Sequence, residues 1–370
     1  SAGGRQMWLR TYGQAEGVDA DVRAIAVDPR GDLIVAGQIT DAAGSDILAV
    51  KYSSTGSRRW VRHYQGSGLG NDWSSDVAVD GRGAVYVVGD SPGVGPGTDY
   101  VVVKWSSGGA YRWEFRYTGP GGESQSSAIA VDDTRASYVT GFSRGAAGDF
   151  DSVTLKVDAT GHLVKAKRWA GPAGLTDGGR QIVADGRAVY VTAQTTTPPG
   201  DDIVLIKYDL RMRQRWVRTW DGPGGSDDYC ESLLALGIGD LRLAGVTLEP
   251  DGTHCRALLM RWNGRGECLW ARTCLLSGKT FSWFQGAAAD AAGTTWCVGW
   301  QAGDTGGMDV LVARYRPSGS RRWARVWSGP GDDNDEARAV CLAGSSGLYV
   351  GGGATQAGTA IDPVLLKYRR

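Results

Sequence analysis

Residues 77–113 read VAVDGRGAVYVVGDSPGVGPGTDYVVVKWSSGGAYRW, and the pattern of this stretch returns along the chain. Short apolar runs alternate in it with clusters of Gly, Pro, Asp and Ser. Apolar runs of that length between turn-forming residues are typical of β-strands. The stretch therefore predicts four short antiparallel strands, with tight turns after the first strand and after the third strand.

The tryptophan that closes this stretch marks a repeat along the whole chain. It recurs at intervals of 51 to 54 residues, and Lys165 holds the one position without it. The repeated residues are Trp8, Trp60, Trp113, Trp216, Trp270 and Trp323. Seven repeats of about 53 residues fill all 370 positions. Four strands per repeat, with no helical period, predict an all-β fold: one seven-bladed β-propeller domain over residues 1–370.

The repeat also sets the blade boundaries and predicts how the last blade is completed. The expected blades span about 21–64, 76–117, 127–169, 180–220, 231–274, 285–327 and 338–368. The last of them ends on Val364–Tyr368, which matches a third strand, whereas Trp8–Tyr12 match a fourth strand. Residues 7–12 are therefore expected to pair with the last blade as its outer strand. That closure would remove a free strand edge, and a monomer is expected.

The charge balance and the apolar content exclude two classes of partner. Lys plus Arg equals Asp plus Glu at 40 each, so no net charge attracts a polyanion, and nucleic acid is not an expected partner. No run approaches the roughly 18 to 20 apolar residues of a membrane span, so membrane insertion is not expected. The sequence leaves the compartment open, an extracytoplasmic one included.

The chain resembles a known repeat family, the bacterial seven-bladed β-propeller repeats called SBBP. The resemblance rests on Ala78–Asp80, Tyr86–Gly89, Val102–Lys104 and Gly109–Trp113, and it extends over the whole chain. It implies the propeller fold and is silent on chemistry, because the matched residues are turn formers and packing residues. The Gly-x-x-x-Trp element is also similar to the tryptophan docking motif of quinoprotein dehydrogenases. Their adjacent cysteine pair is missing, however, and no cofactor is expected.

The residues that recur from repeat to repeat have structural interpretations. The repeated Trp is expected to pack between neighbouring blades, and the Asp that follows the first strand is expected to accept hydrogen bonds from turn amides. A Lys or Arg recurs on the third strand, where it is expected to be solvated or paired with a neighbouring acid. Among the cysteines, a bridge between Cys255 and Cys274 is one option, since a predicted hairpin brings them near each other.

Reactive motifs are missing from the sequence. The three histidines, His63, His162 and His254, fall on different blades, and no His or Cys spacing typical of zinc is present. No metal site is therefore expected. Neither a Gly-x-Ser-x-Gly nucleophile motif nor a phosphate loop occurs.

The loops that precede the first strands are long and vary between blades, so a specific site is expected on that face. Acidic residues recur there, and blade six has Ser282 instead. They are Asp21, Asp72, Glu123, Asp177, Asp228 and Asp335. One interpretation is that each carboxylate accepts hydrogen bonds from amides of its own loop. The other is a ring of carboxylates around one mouth of the propeller, able to hold a cation or a polyol.

Aromatic residues mark the same face in three blades. The loop before blade six carries Trp283 and Phe284, while Trp73 and Tyr229 hold nearby positions before blades two and five. Aromatic faces beside carboxylates are typical of carbohydrate sites and of protein hot spots. The alternative is that Trp283 and Phe284 plug the channel. The predicted ligand site comprises Asp72, Trp73, Glu123, Asp177, Asp228, Tyr229, Trp283 and Phe284.

Two functions fit this site. The sequence favours a non-catalytic binding module that presents a loop-lined funnel to a small molecule, a carbohydrate, a peptide or a protein. The alternative is a lyase or glycosidase that uses carboxylates in the same funnel, since paired acids perform acid and base catalysis without histidine. Two facing acids in unequal environments would favour the enzyme.

Overall fold

The structure, a computed structural model, describes residues 19–42, 44–66, 70–93, 97–146, 148–223, 225–251, 253–304, 306–329, 334–343, 347–355 and 361–369. Across these ranges the regular secondary structure is β-strand, and none of them contains a helix of the length and apolarity that a membrane crossing requires. The predicted closing strand, residues 7–12, lies outside the described residues, so closure by that segment stays a prediction.

Each blade opens with two long strands joined by a tight turn. The first strands are β1 (Asp19–Val27), β5 (Trp73–Val79), β9 (Ser124–Val131), β13 (Asp177–Ala184), β17 (Asp228–Ala235), β21 (Ser282–Ala289) and β25 (Asp335–Ala343). The second strands are β2 (Leu33–Asp41), β6 (Val85–Pro92), β10 (Ser137–Arg144), β14 (Ala188–Thr197), β18 (Asp240–Leu248), β22 (Thr295–Ala302) and β26 (Gly347–Thr355).

Each blade then closes with a second hairpin. The third strands are β3 (Gly44–Tyr52), β7 (Thr98–Trp105), β11 (Phe150–Val157), β15 (Gly200–Asp209), β19 (Cys255–Asn263), β23 (Met308–Tyr315) and β27 (Ile361–Arg369). The fourth strands are β4 (Arg58–Tyr64), β8 (Tyr111–Tyr117), β12 (Leu163–Trp169), β16 (Gln214–Trp220), β20 (Cys268–Cys274) and β24 (Arg321–Trp327). The strands form seven sheets in chain order, of which the seventh has three strands among the described residues. The predicted seven-bladed β-propeller is confirmed.

A β-bulge in the first strand of every blade explains where the blades begin. The pairing of β5 with β6 shifts between Ser74 and Asp76, and the strand continues beyond the shift. The first strands therefore start two or three residues before the expected blade boundaries. Gly89 lies opposite the bulge, where a Cβ atom would meet the carbonyl oxygen of Trp73 at 2.0 Å. The motif Tyr-Val-Val-Gly therefore ends in glycine because the backbone of β5 comes too close to leave room for a side chain.

The described residues fall into two compact units, and the boundary passes through the fourth blade. The N-terminal unit holds residues 19–195 and 208–214, and the C-terminal unit holds residues 196–207 and 215–369. Within each unit, buried side chains of one sheet pack on those of the next. Val85 and Val103 lie in the core between blades one and two, and Leu259 and Leu311 lie in the core between blades five and six. The sheets are therefore held together by apolar layers between their faces.

The repeated Asp after the first strand stabilises the first turn, as predicted. Asp28 Oδ1 accepts the amides of Arg30 at 2.8 Å and Asp32 at 2.9 Å. Asp80 Oδ1 accepts the amides of Arg82 and Ala84, both at 2.9 Å. One carboxylate oxygen thus satisfies two backbone donors in the turn, which accounts for the recurrence of the residue.

In blades one, two and four, the repeated Trp and Lys join the blade to the next one. Trp60 Nε1 and Lys51 Nζ both donate to the Ser107 carbonyl of blade two, at 3.2 and 3.3 Å. The same pair of contacts links Trp113 and Lys104 to Ala159, and Trp216 and Lys207 to Gly264. The interblade role of the tryptophan is confirmed. The lysine is not solvated: Lys51 is 3% exposed and ion-paired with Asp28 at 2.7 Å.

The proposed bridge between Cys255 and Cys274 is wrong, since both thiols are free. In the register of β19 and β20, Cys274 lies opposite Ala257, two residues away from Cys255. The thiol of Cys255 faces the Ser282 carbonyl, and the sulfur of Cys274 accepts from Arg321 at 3.0 Å. Each thiol is therefore engaged by a different partner.

Candidate functional site

Most of the predicted acids close their own loops. Asp72, Asp177 and Asp228 each accept, through Oδ2, the amide of a glycine six residues earlier, at 2.7, 2.5 and 2.6 Å. Asp335 contacts Gly329 in the same way. All four carboxylates are at most 1% exposed. The first of the two interpretations, hydrogen bonding within the loop, is confirmed for these residues.

Blades three and six replace the capping aspartate with serine. In blade three the Gly119 amide donates to Ser124 Oγ at 3.0 Å, so Ser124 and not Glu123 occupies the position. Glu123 lies one residue earlier, is partly exposed and faces Arg144 at 3.7 Å. In blade six Ser282 Oγ accepts the Ala257 amide at 2.9 Å. Counting acids along the sequence therefore placed Glu123 in a series to which it does not belong.

The C-terminal unit brings three aromatic rings together in one row. The Tyr229 and Trp283 rings stack with centroids 5.7 Å apart and planes 22° apart. The Trp283 and Trp300 rings stack at 6.0 Å and 28°. All three side chains are half-buried. Tyr229 and Trp283 follow the capping residues of blades five and six, and Trp300 lies opposite Trp283 on β22. We call Tyr229, Trp283 and Trp300 the aromatic row.

Two polar side chains lie at the same strand ends as the aromatic row. Gln285 on β21 donates to Glu336 on β25 at 3.5 Å. Within the described residues, Oε1 of Gln285 and Nε1 of Trp283 are buried without a hydrogen-bond partner. Such an atom costs about 1 to 3 kcal/mol when it stays unsatisfied. The row therefore combines stacked apolar faces with unused hydrogen-bonding capacity.

Phe284 does not belong to the surface of this site. It is fully buried, and its ring packs edge-on against Tyr315 at 6.3 Å in the core between blades five and six. Alternation along β21 explains the difference, because neighbouring residues of a strand point to opposite faces. The prediction that placed both Trp283 and Phe284 on the ligand therefore needs correction: Phe284 supports the strand that carries Trp283.

In the N-terminal unit, Trp73 holds the position that Tyr229 and Trp283 hold in the other unit. It is 39% exposed and lies opposite Asp90 in the register of β5 and β6. Asp90 Oδ1 accepts the Ser126 amide at 2.6 Å, and burial raises the pKa of Asp90 to about 7. Asp76 Oδ2 accepts the Ile129 amide at 3.0 Å, and burial raises the pKa of Asp76 to about 6. Sequence reasoning missed both carboxylates.

A signal for these two acids was present in the repeat. Asp76 stands at the bulge, where blades one and three have Ala24 and Ala128. Asp90 stands where blade three has Phe142. None of the other six blades has a carboxylate at either position, so both acids are exceptions to the repeat, as Trp283 is. Aligning the bulges would have identified both residues.

One group of carboxylates in the described residues converges closely enough to contact a single ion. Oxygens of Asp202, Asp221 and Asp228 lie within 4.8 Å of one another in the C-terminal unit. Burial raises the pKa of Asp228 to about 7, and the charges of Asp202 and Asp221 contribute to that rise. Asp228 already caps Gly222, and Asp202 accepts the Thr197 hydroxyl at 2.5 Å. Local contacts account for two of the three acids, so we assign no metal to them.

Comparison with solved structures identifies the fold. The chain is similar to the β-propeller domain of the Trilobed protease from Pyrococcus furiosus, with 6% identity, a TM-score of 0.53, and coverage of 95% of this chain and 97% of that chain. It is also similar to an acylaminoacyl peptidase from Pyrococcus horikoshii, with 9% identity, a TM-score of 0.54, and coverage of 95% of this chain and 52% of that chain. These likenesses show the β-propeller fold alone.

No family model matches the chain. No curated protein matches it either. The resemblance to SBBP repeats therefore stays a prediction, while the seven-bladed β-propeller stands on the sheets themselves and on the similar structures.

Proposed function

We propose that the chain is a binding module and that the aromatic row of the C-terminal unit receives a carbohydrate. The row carries the proposal because its rings depart from the repeat. Tyr229 and Trp283 occupy a position that holds Gly178 in blade four and Glu336 in blade seven. A position free to vary between blades is not required for the propeller, so its side chains are available for recognition.

The chemistry of the row favours a sugar over an extended peptide. Sugar rings present C–H faces that pack on aromatic rings and hydroxyl groups that bond to amides and carboxylates. Stacked rings supply the first kind of contact, and Gln285 and Glu336 supply the second. An added peptide strand would instead be held by backbone hydrogen bonds to a sheet edge, a contact that does not use stacked aromatic rings.

A carbohydrate array with the purified protein tests the proposal, together with a peptide array as the alternative. Trp300→Ala removes one end of the row and should weaken the carbohydrate signal about tenfold or more. Trp323→Ala is the matched control, because Trp323 is a repeated fourth-strand tryptophan that stacks on Tyr368. Binding to peptides with no carbohydrate signal would overturn the sugar assignment.

Asp76 and Asp90 favour a second candidate function, acid and base catalysis in the N-terminal unit. Their pKa values of about 6 and about 7 lie near neutral pH, where a carboxyl group exchanges protons most effectively. Each carboxylate accepts a backbone amide of blade three, from Ile129 and Ser126. Turnover of chromogenic glycosides between pH 5 and 8, abolished in Asp90→Asn, would support it. The absence of turnover with retained carbohydrate binding would exclude it.

A further inference from the structure

A second candidate site lies in the N-terminal unit, on the side where the tight turns cluster. A pocket of about 510 Å³ opens there between blades two and three. Four cationic side chains line it, and a single carboxylate accompanies them. They are Arg82, Lys104, Arg112, Arg135 and Asp80.

At the equivalent positions, blade one has two carboxylates, Asp28 and Asp32, for three cationic residues: Arg30, Lys51 and Arg59. Lys51 is ion-paired with Asp28 at 2.7 Å, and Asp32 lies within 3.6 Å of Lys51 and 3.9 Å of Arg59. Blade two has Ala84 at the position of Asp32 and Arg112 at the position of Arg59. Blade one has Asp32 beside Arg59, whereas the pocket has no carboxylate at the position of Asp32 to pair with Arg112.

A tyrosine changes the contacts of the pocket lysine. Tyr86 stands at the position of Ile34, and its hydroxyl donates to Asp80 Oδ2 at 3.2 Å. In blade one the corresponding oxygen accepts from Lys51. Lys104 Nζ lies instead over the Tyr86 ring, 4.4 Å from its centroid. Burial lowers the pKa of Lys104, and the nearby guanidinium groups of Arg135 and Arg112 lower it too.

The remaining cation comes from a residue in a disfavoured backbone conformation. Arg135 has φ +68°, in the left-handed region. Blades one and two have Gly31 and Gly83 at this turn position, each with φ +80°. A side chain in this region costs free energy and persists where something else requires it. Here arginine in place of glycine adds a guanidinium group to the pocket.

We propose that this pocket binds the oxyanion of a phosphate or sulfate ester. In the described part of the chain, the guanidinium groups of Arg82, Arg112 and Arg135 form no ion pair with a carboxylate. Guanidinium groups bind tetrahedral oxyanions through paired N–H donors, and several around one pocket fit one such group. The volume leaves room for the organic part of an ester beside the oxyanion. The site is separate from the aromatic row and does not depend on it.

Isothermal titration with glycerol 3-phosphate, glycerol 3-sulfate and glycerol tests the proposal. We expect saturable binding of at least one ester, weakening as salt is raised, and no binding of glycerol. The better of the two esters identifies the source of the oxyanion. Failure of both esters to bind saturably at millimolar concentration would overturn the proposal.

Two variants separate the site from general surface charge. Arg135→Gly restores the glycine of the other turns, so we expect an equal or higher Tm together with about tenfold weaker binding. Ala84→Asp restores the carboxylate of blade one and should weaken binding by a similar factor. Arg59→Ala, at the equivalent position of blade one, is the control and should leave the affinity within about twofold. Equal affinity in all four proteins would overturn the assignment to this pocket.

Discussion

Two tryptophans of the C-terminal unit, Trp216 and Trp283, have opposite relations to the repeat. Trp216 belongs to the repeated series, and its Nε1 donates at 3.2 Å to the Gly264 carbonyl, which also accepts from Lys207. Trp283 holds a position at which blade two alone also has tryptophan; its ring stacks on Tyr229 and Trp300, and its Nε1 has no hydrogen-bond partner among the described residues. The repeated residue makes a hydrogen bond between blades that recurs along the chain, whereas the stacking of Trp283 on Tyr229 and Trp300 is not part of that series.

Recurrence along the chain separates the residues that build the propeller from the residues that are available for binding. Positions that keep one residue type satisfy needs common to all blades, such as the turn amides that Asp28 and Asp80 accept. Positions that change from blade to blade are free of those needs. In this chain the changing positions include the aromatic row and the basic pocket.

The largest effect is expected for the repeated tryptophan. Trp216→Ala removes a large side chain and a hydrogen bond between blades, and should lower the free energy of unfolding by about 3 to 5 kcal/mol. Urea unfolding measures the loss. Trp216→Phe retains most of the packing and should lose less. If Trp216→Ala abolished ligand binding and left the free energy of unfolding unchanged, Trp216 would be a binding residue and not a structural one.

A slightly smaller effect is expected for the neighbour of Trp283 in the chain. Phe284 is fully buried, so Phe284→Ala should cost about 3 kcal/mol through the cavity that it leaves. The affinity of the folded protein for its ligand should fall little, because the ring points away from the row. Thermal melting and a binding titration on the same sample check both parts. A selective loss of affinity would return Phe284 to the site.

The smallest effect is expected for the charge of a capping aspartate. Because the pKa of Asp228 is raised to about 7 from 3.8, the folded chain holds a proton that the unfolded chain has lost, and stability falls as the pH rises through this window. Asp228→Asn removes that loss. Its Tm should exceed that of the wild type by about 1 to 3 °C at pH 8, and the gain should vanish near pH 4.

Asp28→Asn is the control of opposite sign. Burial raises the pKa of Asp28, but hydrogen bonds from Lys51 and from turn amides outweigh it and the net pKa is lowered. The stabilisation by Asp28 is therefore present above its unfolded pKa of 3.8 and is lost as the pH falls through the folded value. Asp28→Asn should lower the Tm at pH 8. If both variants raised the Tm at pH 8, or both lowered it, the electrostatic explanation would be contradicted.

The sequence predicted the parts of the fold that recur. Seven copies of one pattern were enough to assign the blades, the turn aspartates and the interblade tryptophans, because each was seen several times. Bulges were missed because a single extra residue does not disturb the spacing of the tryptophans. Glu123 entered the series of capping residues because acids were sought within a range of positions before the first strand, whereas the structure has Ser124 at the capping position.

The candidate site was harder to predict, because its residues come from different strands. Tyr229 and Trp283 were identified as exceptions in the loops, but Trp300 lies on a second strand and joins them through strand pairing. Phe284 was included because it follows Trp283, and alternation along the strand places it on the other face. The basic pocket depends on two substitutions in adjacent blades, Ala84 and Arg135, whose combined effect appears when the blades pack.

The most direct test of the division between scaffold and site is Trp283→Ala, measured in parallel by thermal melting and by affinity for the carbohydrate found on the array. We expect a loss of affinity of about 2 kcal/mol or more, which is roughly thirtyfold, with a change in Tm much smaller than that of Trp216→Ala. A large fall in Tm with unaltered carbohydrate recognition would contradict the account, because Trp283 would then be part of the scaffold.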